Sequence, residues 1–206
     1  VDLLISTGKF DRVMEFLLRR ARHSEDEQEQ ARLLTRMADV SREHLDDQEN
    51  AVELLEAALQ RAPRYEPAIA TLSTLYLERE EWTKALPLLE IQRENAGKSK
   101  HTDQEAEALK LMGRCLRLIG RTDDALAYYR AAYDKGADDR TVLRALGELN
   151  LAAGSIDVAA TYFGRYVEGL SNEELAAEGS EVFSTMASIQ QALGNEEAAQ
   201  EWLEQA

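Results

Sequence analysis

One pattern recurs at nearly constant spacing along this chain of 206 residues, and it limits the possible folds more than any other feature. In each copy a small residue is followed four positions later by a large apolar residue, which places both on one face of a helix. The copies open at Ala51, Ala85, Ala125, Ala159 and Ala199, and a degenerate copy opens at Val13. A polar or glycine-containing turn precedes each copy, and another helical pattern precedes that turn. The sequence therefore predicts a repeated unit of helix, short turn and helix.

This unit is clearest over the 34 residues from Ala106 to Asp139. Gly113 and Ala125 are its small residues, and Leu116 and Tyr129 are among its large apolar residues. The pattern resembles the tetratricopeptide repeat family, whose unit has about 34 residues. In that family the small residues permit close contact between helices and the large residues pack there. The resemblance covers almost the whole chain.

The resemblance implies an all-α fold: a right-handed α-solenoid of about five to six helix-turn-helix repeats, truncated at both ends. One helix pair cannot bury its own apolar face, whereas stacked neighbours can. We therefore expect a single solenoid domain over residues 1–206. Its expected repeats are 1–24 (partial), 25–65, 66–99, 100–139, 140–173 and 174–206 (partial).

A longer period joins alternate repeats, because Ala51, Ala125 and Ala199 are separated by 74 residues each. The extra residues fall at alternate junctions, where three segments read as capping boxes, in which a hydroxyl and a carboxylate satisfy the first amides of a helix. These segments are Ser24–Glu27, Thr102–Glu105 and Ser171–Glu174. We expect every second repeat to begin with a helix extended by a turn or more. Stabilisation of a longer helix is the favoured role, and a protruding contact surface is the alternative.

The charge balance argues against several partners. Lys and Arg number 24 against 39 Asp and Glu, which leaves a formal net charge of −15 and disfavours nucleic acid and anionic membranes. The longest uncharged run, 182–195, is too short and too polar to span a bilayer. No signal peptide is visible and Val1 is not an initiator methionine. The compartment stays open, with the cytoplasm slightly favoured.

No catalytic or metal-binding pattern stands out. His23, His44 and His101 are far apart in the sequence, and the glycines occur singly rather than in a phosphate-binding loop. The single cysteine, Cys115, is expected to be a half-buried packing residue. We predict that the chain is not an enzyme and holds no cofactor or metal.

In the family, first helices line the concave face of the solenoid. On that face the central repeats place four basic residues, Lys110, Arg114, Arg117 and Arg144. One interpretation is a docking site for a carboxylate or an acidic segment, because guanidinium groups bind carboxylates with two parallel hydrogen bonds. The other is ordinary pairing within helices, such as Glu107 with Lys110 and Arg144 with Glu148.

The carboxylate clamp with which some family members hold chaperone tails is not expected here. Lys110 matches the first lysine of that clamp, but Arg114 and Ala145 stand where it requires asparagine.

Two functions follow. The favoured one is a non-enzymatic protein–protein interaction scaffold or adaptor that binds a peptide or protein segment, with acidic segments as candidates, in the concave groove. The alternative is a self-associating or spacer array within a larger multidomain protein, suggested by apolar Trp202 and Leu203 near the end of the array. A monomer is favoured over a homo-oligomer. Binding of RNA, as some helical repeats do, conflicts with the charge.

Overall fold

The computed structural model describes residues 8–205, without the side chains of residues 172, 176, 178, 179 and 205. All regular structure in this part of the chain is α-helical. Its helices are α1 (Phe10–His23), α2 (Glu27–His44), α3 (Gln48–Arg61), α4 (Glu66–Glu78), α5 (Trp82–Ser99), α6 (Thr102–Leu118), α7 (Thr122–Asp134), α8 (Arg140–Ala152), α9 (Ile156–Glu168), α10 (Asn172–Ala192) and α11 (Glu196–Gln205). The predicted all-α array of helix-turn-helix repeats is confirmed.

The helices form two compact units, residues 1–100 and 101–206. In the first unit α2 packs most closely on α3, and α4 on α5; in the second the close pairs are α6 with α7, α8 with α9, and α10 with α11. Within each unit the second helix of one pair also contacts the first helix of the next, as α7 contacts α8. The single domain and the repeat bounds given above stay predictions.

The recurring small residues lie in the cores of these pairs. Val13, Ala51, Ala85, Ala125 and Ala159 have no exposed surface, and Ala199 is 7% exposed. The large residues four positions later are equally buried in five copies: Leu17, Leu55, Leu89, Tyr129 and Phe163. The sixth, Leu203, is 58% exposed. The positions that the repeat pattern assigns to helix contacts are therefore, apart from Leu203, the positions that are buried in the structure.

Two glycines allow an aromatic ring to lie against the facing helix. A Cβ at Gly113 would lie 2.9 Å from Cδ2 of Tyr129, and a Cβ at Gly147 would lie 2.7 Å from Cδ2 of Phe163. Carbon atoms in ordinary contact stay about 3.5–4.0 Å apart. The predicted close contact at Gly113 is thus observed, and Gly147 repeats it one unit later.

The turns inside the repeats share one backbone conformation. Each contains a residue with positive φ, namely Gly8, Asp46, Glu80, Gly120, Gly154 and Gly194. A recurrent hydrogen bond closes the four turns that contain Glu80, Gly120, Gly154 and Gly194, as where the amide of Arg121 donates to the carbonyl of Leu116 at 2.9 Å. Glycine adopts this conformation freely, so Asp46 and Glu80 hold it at a cost.

Alternate first helices are longer, as predicted. Helices α2, α6 and α10 have 18, 17 and 21 residues, whereas α4 and α8 have 13 each. Of the three predicted capping boxes, only Ser171 with Glu174 forms.

The other two capping boxes were wrong by one or two positions. Helix α2 is capped by Asp26, whose carboxylate accepts from the amide of Gln28 at 2.9 Å, because a charged oxygen is the stronger acceptor for these amides. Helix α6 already includes Thr102, so that residue lies inside the first turn and His101 precedes the helix.

Candidate peptide-binding site

The four predicted basic residues lie on neighbouring first helices of the second unit. Lys110, Arg114 and Arg117 follow one another on α6 at spacings of four and three, which places them on one helix face. Arg144 projects from α8. Arg114 and Arg117 are exposed, while Lys110 and Arg144 are partly buried. These residues, with the acidic partners described next, form what we call the α6–α8–α10 face.

Lys110 connects α6 to the beginning of α8. Its Nζ lies 2.6 Å from Oε2 of Glu107 on the same helix and 2.9 Å from Oδ2 of Asp139. Asp139 also caps α8 by accepting from the amide of Val142 at 3.1 Å. Burial acts to lower the pKa of Lys110, but the hydrogen bonds to the two carboxylates outweigh it and raise that pKa. The ammonium is therefore firmly charged and held.

Glu148 bridges two arginines. It accepts from Nη1 of Arg117 on α6 at 2.7 Å and from Nε of Arg144 on its own helix at 2.7 Å. Arg144 reaches further to Glu181 on α10, with Nη2 3.2 Å from Oε1, and it is also hydrogen bonded to the hydroxyl of Tyr166. The hydrogen bond to Glu148 is the main reason that the pKa of Arg144 is raised. A continuous chain of ion pairs thus crosses three helices.

A further pair joins Arg140 at the start of α8 to Glu174 near the start of α10. The amide of Ser171, followed by the guanidinium of Arg140, lowers the pKa of Glu174 to about 2. Arg140 therefore faces a carboxylate that stays ionised at any physiological pH.

The α6–α8–α10 face mixes positive and negative groups. Five cations on it are Lys110, Arg114, Arg117, Arg140 and Arg144, and five anions are Glu107, Asp139, Glu148, Glu174 and Glu181. These ten groups balance in formal charge, on a chain of net charge −15. The pairing within helices predicted for Glu107 with Lys110 and for Arg144 with Glu148 is confirmed.

A cavity of about 530 Å³ opens on this face. Its walls include three guanidinium groups (Arg117, Arg140 and Arg144), two carboxylates (Glu148 and Glu174) and Tyr166. A neighbouring cavity of about 390 Å³ shares Arg144 and Glu148 and adds apolar wall from Leu151, Phe163 and Val182. Converging guanidinium forks suit a carboxylate once their present partners give way.

The side chains that sequence reasoning missed are Asp139, Arg140, Tyr166 and Glu174. Tyr166 comes from α9, a second helix, whereas the family resemblance assigns the concave face to first helices. The signal for Asp139 and Arg140 was present, since an aspartate directly before a helical pattern is a common cap and places its neighbour at the helix start.

Cys115 was expected to be half buried and is fully buried instead. This burial raises the pKa of the thiol to about 11. Among residues 8–205 no group of His, Cys, Asp and Glu side chains is arranged to hold a metal ion. None of the helices in that range is long and apolar enough to cross a membrane.

Solved structures show where else this fold occurs, whereas no curated protein matches the chain significantly. YrrB, described as a TPR protein with an unusual peptide-binding site, is 17% identical, with 84% of this chain and 82% of that chain covered and a TM-score of 0.61. MamA from Desulfovibrio magneticus RS-1 is 20% identical over 81% and 89%, with a TM-score of 0.56. BtubC from P. vanneervenii is 18% identical over 98% and 88%, with a TM-score of 0.58. These similarities show a common fold.

Two family profiles, each described as tetratricopeptide repeat, match residues 65–136 and 119–174. Together they span more than half of the chain, and the solved structures above share its architecture. The chain belongs to the tetratricopeptide repeat family.

Proposed function

We propose that this chain is a non-enzymatic protein-interaction module that binds an acidic peptide segment on the α6–α8–α10 face. Tetratricopeptide repeats are generally a non-catalytic protein-interaction fold, and the similar protein YrrB is described as having a peptide-binding site. The observation that carries the proposal is the cavity into which Arg117, Arg140 and Arg144 converge.

A peptide carboxylate can take the place of an internal one at modest cost. The side chains of Arg117 and Glu148 are 40% and 36% exposed, and ion pairs at such positions contribute about 0–1 kcal/mol each. Each guanidinium keeps its charge whichever carboxylate it binds. Replacing an internal carboxylate by one from the peptide therefore changes the free energy of the ion pair little. Apolar contacts with the neighbouring 390 Å³ cavity then favour the bound peptide.

The two ends of the cavity also differ in their distance from the N-terminus of α8. Arg140 and Thr141, which line the cavity, are the first residues of α8, where the helix dipole is positive. Glu148 lies two turns further along that helix and gains nothing from this dipole. A carboxylate beside Arg140 does gain from it, as Glu174 does now, so this end of the cavity favours an anionic group.

The test is a binding titration followed by fluorescence anisotropy. A labelled penta-glutamate peptide with acetylated and amidated ends is the probe, and penta-glutamine is its uncharged equivalent. We expect penta-glutamate to bind and penta-glutamine to bind at least about tenfold more weakly, since charge-assisted hydrogen bonds are worth about 1.5–3 kcal/mol. The double variant Arg117→Gln, Arg144→Gln should lose most of this preference.

The matched control is the double variant Arg22→Gln, Arg130→Gln, which removes the same two charges from exposed positions on α1 and α7. Equal weakening by the control and the double variant would show that only net charge matters. Equal binding of the two peptides by the unmodified chain would refute the proposal.

The alternative, self-association, is supported by Leu203. The equivalent residues of the other repeats are at most 3% exposed, whereas Leu203 is 58% exposed, next to Trp202, whose ring is 5.8 Å from that of Phe183. If the array self-associates through this surface, light scattering shows a mass that rises with concentration, and Leu203→Asp abolishes the rise. A constant monomer mass would exclude this alternative.

A further inference from the structure

Tyr129 carries a buried hydroxyl that has no hydrogen-bond partner among the described residues. The side chain is fully buried, and its ring lies across Gly113 on α6. Leaving such a group unpaired costs folding free energy. The chain therefore keeps a hydroxyl at this position that works against its own stability.

Packing at this position does not need the hydroxyl. Phe163 occupies the equivalent place in the next repeat and lies across Gly147 in the same way. In the first unit the equivalent residues are Leu17, Leu55 and Leu89, all buried. An apolar side chain serves the same structural purpose in these four copies, so the extra oxygen of Tyr129 calls for another explanation.

The ring of Tyr129 lies against Gly113, and Arg117 follows Gly113 by four residues, about one turn further along the same side of α6. The charged groups that act on the hydroxyl are Arg117 and Arg114 of α6 and Glu148 of α8. Burial raises the pKa of Tyr129, and the two arginines oppose that rise. Both observations place the hydroxyl near the Arg117–Glu148 pair.

We infer that the Tyr129 hydroxyl is a specificity-determining donor that hydrogen bonds a side-chain carboxylate of the bound peptide once Arg117 releases Glu148. This inference rests on the proposed function and assigns one residue to it. The hydroxyl itself has negligible exposure. Both members of that pair are partly exposed, so they are able to turn outward. A ligand carboxylate that takes Arg117 then completes the hydrogen bonding of the tyrosine.

The experiment compares Tyr129→Phe with Tyr128→Phe, which removes the same atom from the preceding residue on α7. Both variants and the unmodified chain are titrated with the amidated penta-glutamate probe. We expect Tyr129→Phe to weaken penta-glutamate binding about tenfold and to leave the weaker penta-glutamine binding unchanged, because it removes one hydrogen bond to a charged group. Tyr128→Phe should bind penta-glutamate like the unmodified chain.

Stability is measured on the same samples by urea denaturation. Tyr129→Phe should unfold at the same or a higher urea concentration, so that weaker binding reflects the lost donor rather than a damaged fold. Unchanged penta-glutamate binding by Tyr129→Phe would overturn the inference, even where the arginine double variant behaves as proposed. Binding of a free-acid peptide but not of the amidated one would also overturn it, because the ligand would then be a terminal carboxylate. Failure of the unmodified chain to prefer penta-glutamate removes the proposed function itself, and with it the basis for this inference.

Discussion

Replacing Gly147 by alanine tests whether the size of the Phe163 ring requires a glycine where that ring contacts the facing helix. The added Cβ would lie 2.7 Å from Cδ2 and 2.8 Å from Cε2 of Phe163, whose side chain is only 3% exposed. To restore ordinary contact the ring must move by about 0.7 Å within a filled core. Overpacking of this kind costs about 1–3 kcal/mol. Alanine recovers about 1 kcal/mol of helix propensity, which leaves a net loss of about 0–2 kcal/mol.

Gly164 provides the matched control. It also lies inside a helix, α9, but a Cβ there would meet no atom within 4 Å. Gly164→Ala should therefore stabilise the chain by about 1 kcal/mol. The two alanine variants should differ by about 1–3 kcal/mol, although their chemical change is identical.

The assay is equilibrium urea denaturation followed by circular dichroism, with the denaturant slope compared between variants. The double variant Gly147→Ala, Phe163→Leu completes a thermodynamic cycle, and replacing the ring by leucine should cost less beside alanine than beside glycine. The first unit supports this expectation, because there the equivalent positions, sixteen residues apart, are Ser73 and Leu89, and both are buried. If Gly147→Ala stabilises the chain as much as Gly164→Ala does, the argument from ring size is refuted.

Three further predictions concern turns and helix ends. Glu80→Gly should raise the free energy of unfolding by about 1 kcal/mol, because the residue holds φ at 59°; lower stability in urea would contradict this. Ser171→Ala should lower the free energy of unfolding by about 1 kcal/mol, because it removes the N-cap of α10. Thr102 does not cap its helix, so Thr102→Ala should change that free energy by only a few tenths of a kcal/mol. Equal losses for the two variants in calorimetry would show that the cap is unimportant. The pKa of Glu174 is lowered to about 2, so its stabilising effect is present above its unfolded pKa of about 4.3 and disappears as the pH falls toward 2. The stability difference between the unmodified chain and Glu174→Gln should shrink over that interval, and a difference independent of pH would count against the Arg140 and Ser171 contacts.

Much of the fold follows from spacing along the chain. A small residue and a large one four positions apart must share a helix face, so the buried pairs Ala125 with Tyr129 and Ala159 with Phe163 were predictable. The 74-residue period likewise predicted longer first helices at alternate repeats, and α2, α6 and α10 are the longer first helices. Helix starts were less predictable, since Asp26 rather than Ser24 caps α2.

The candidate site was likewise predictable from the sequence only in part. The sequence by itself placed Lys110, Arg114 and Arg117 on one face and paired Lys110 with Glu107, because helix geometry fixes neighbours three and four residues apart. Only the tertiary structure brought Asp139 to Lys110, across 29 residues, and Glu148 to Arg117, across 31. Such pairs depend on how stacked helices cross and on which rotamers the long side chains adopt, and no spacing rule encodes either. For that physical reason a stretch that is basic in the sequence becomes an ion-paired face of mixed charge in the folded chain.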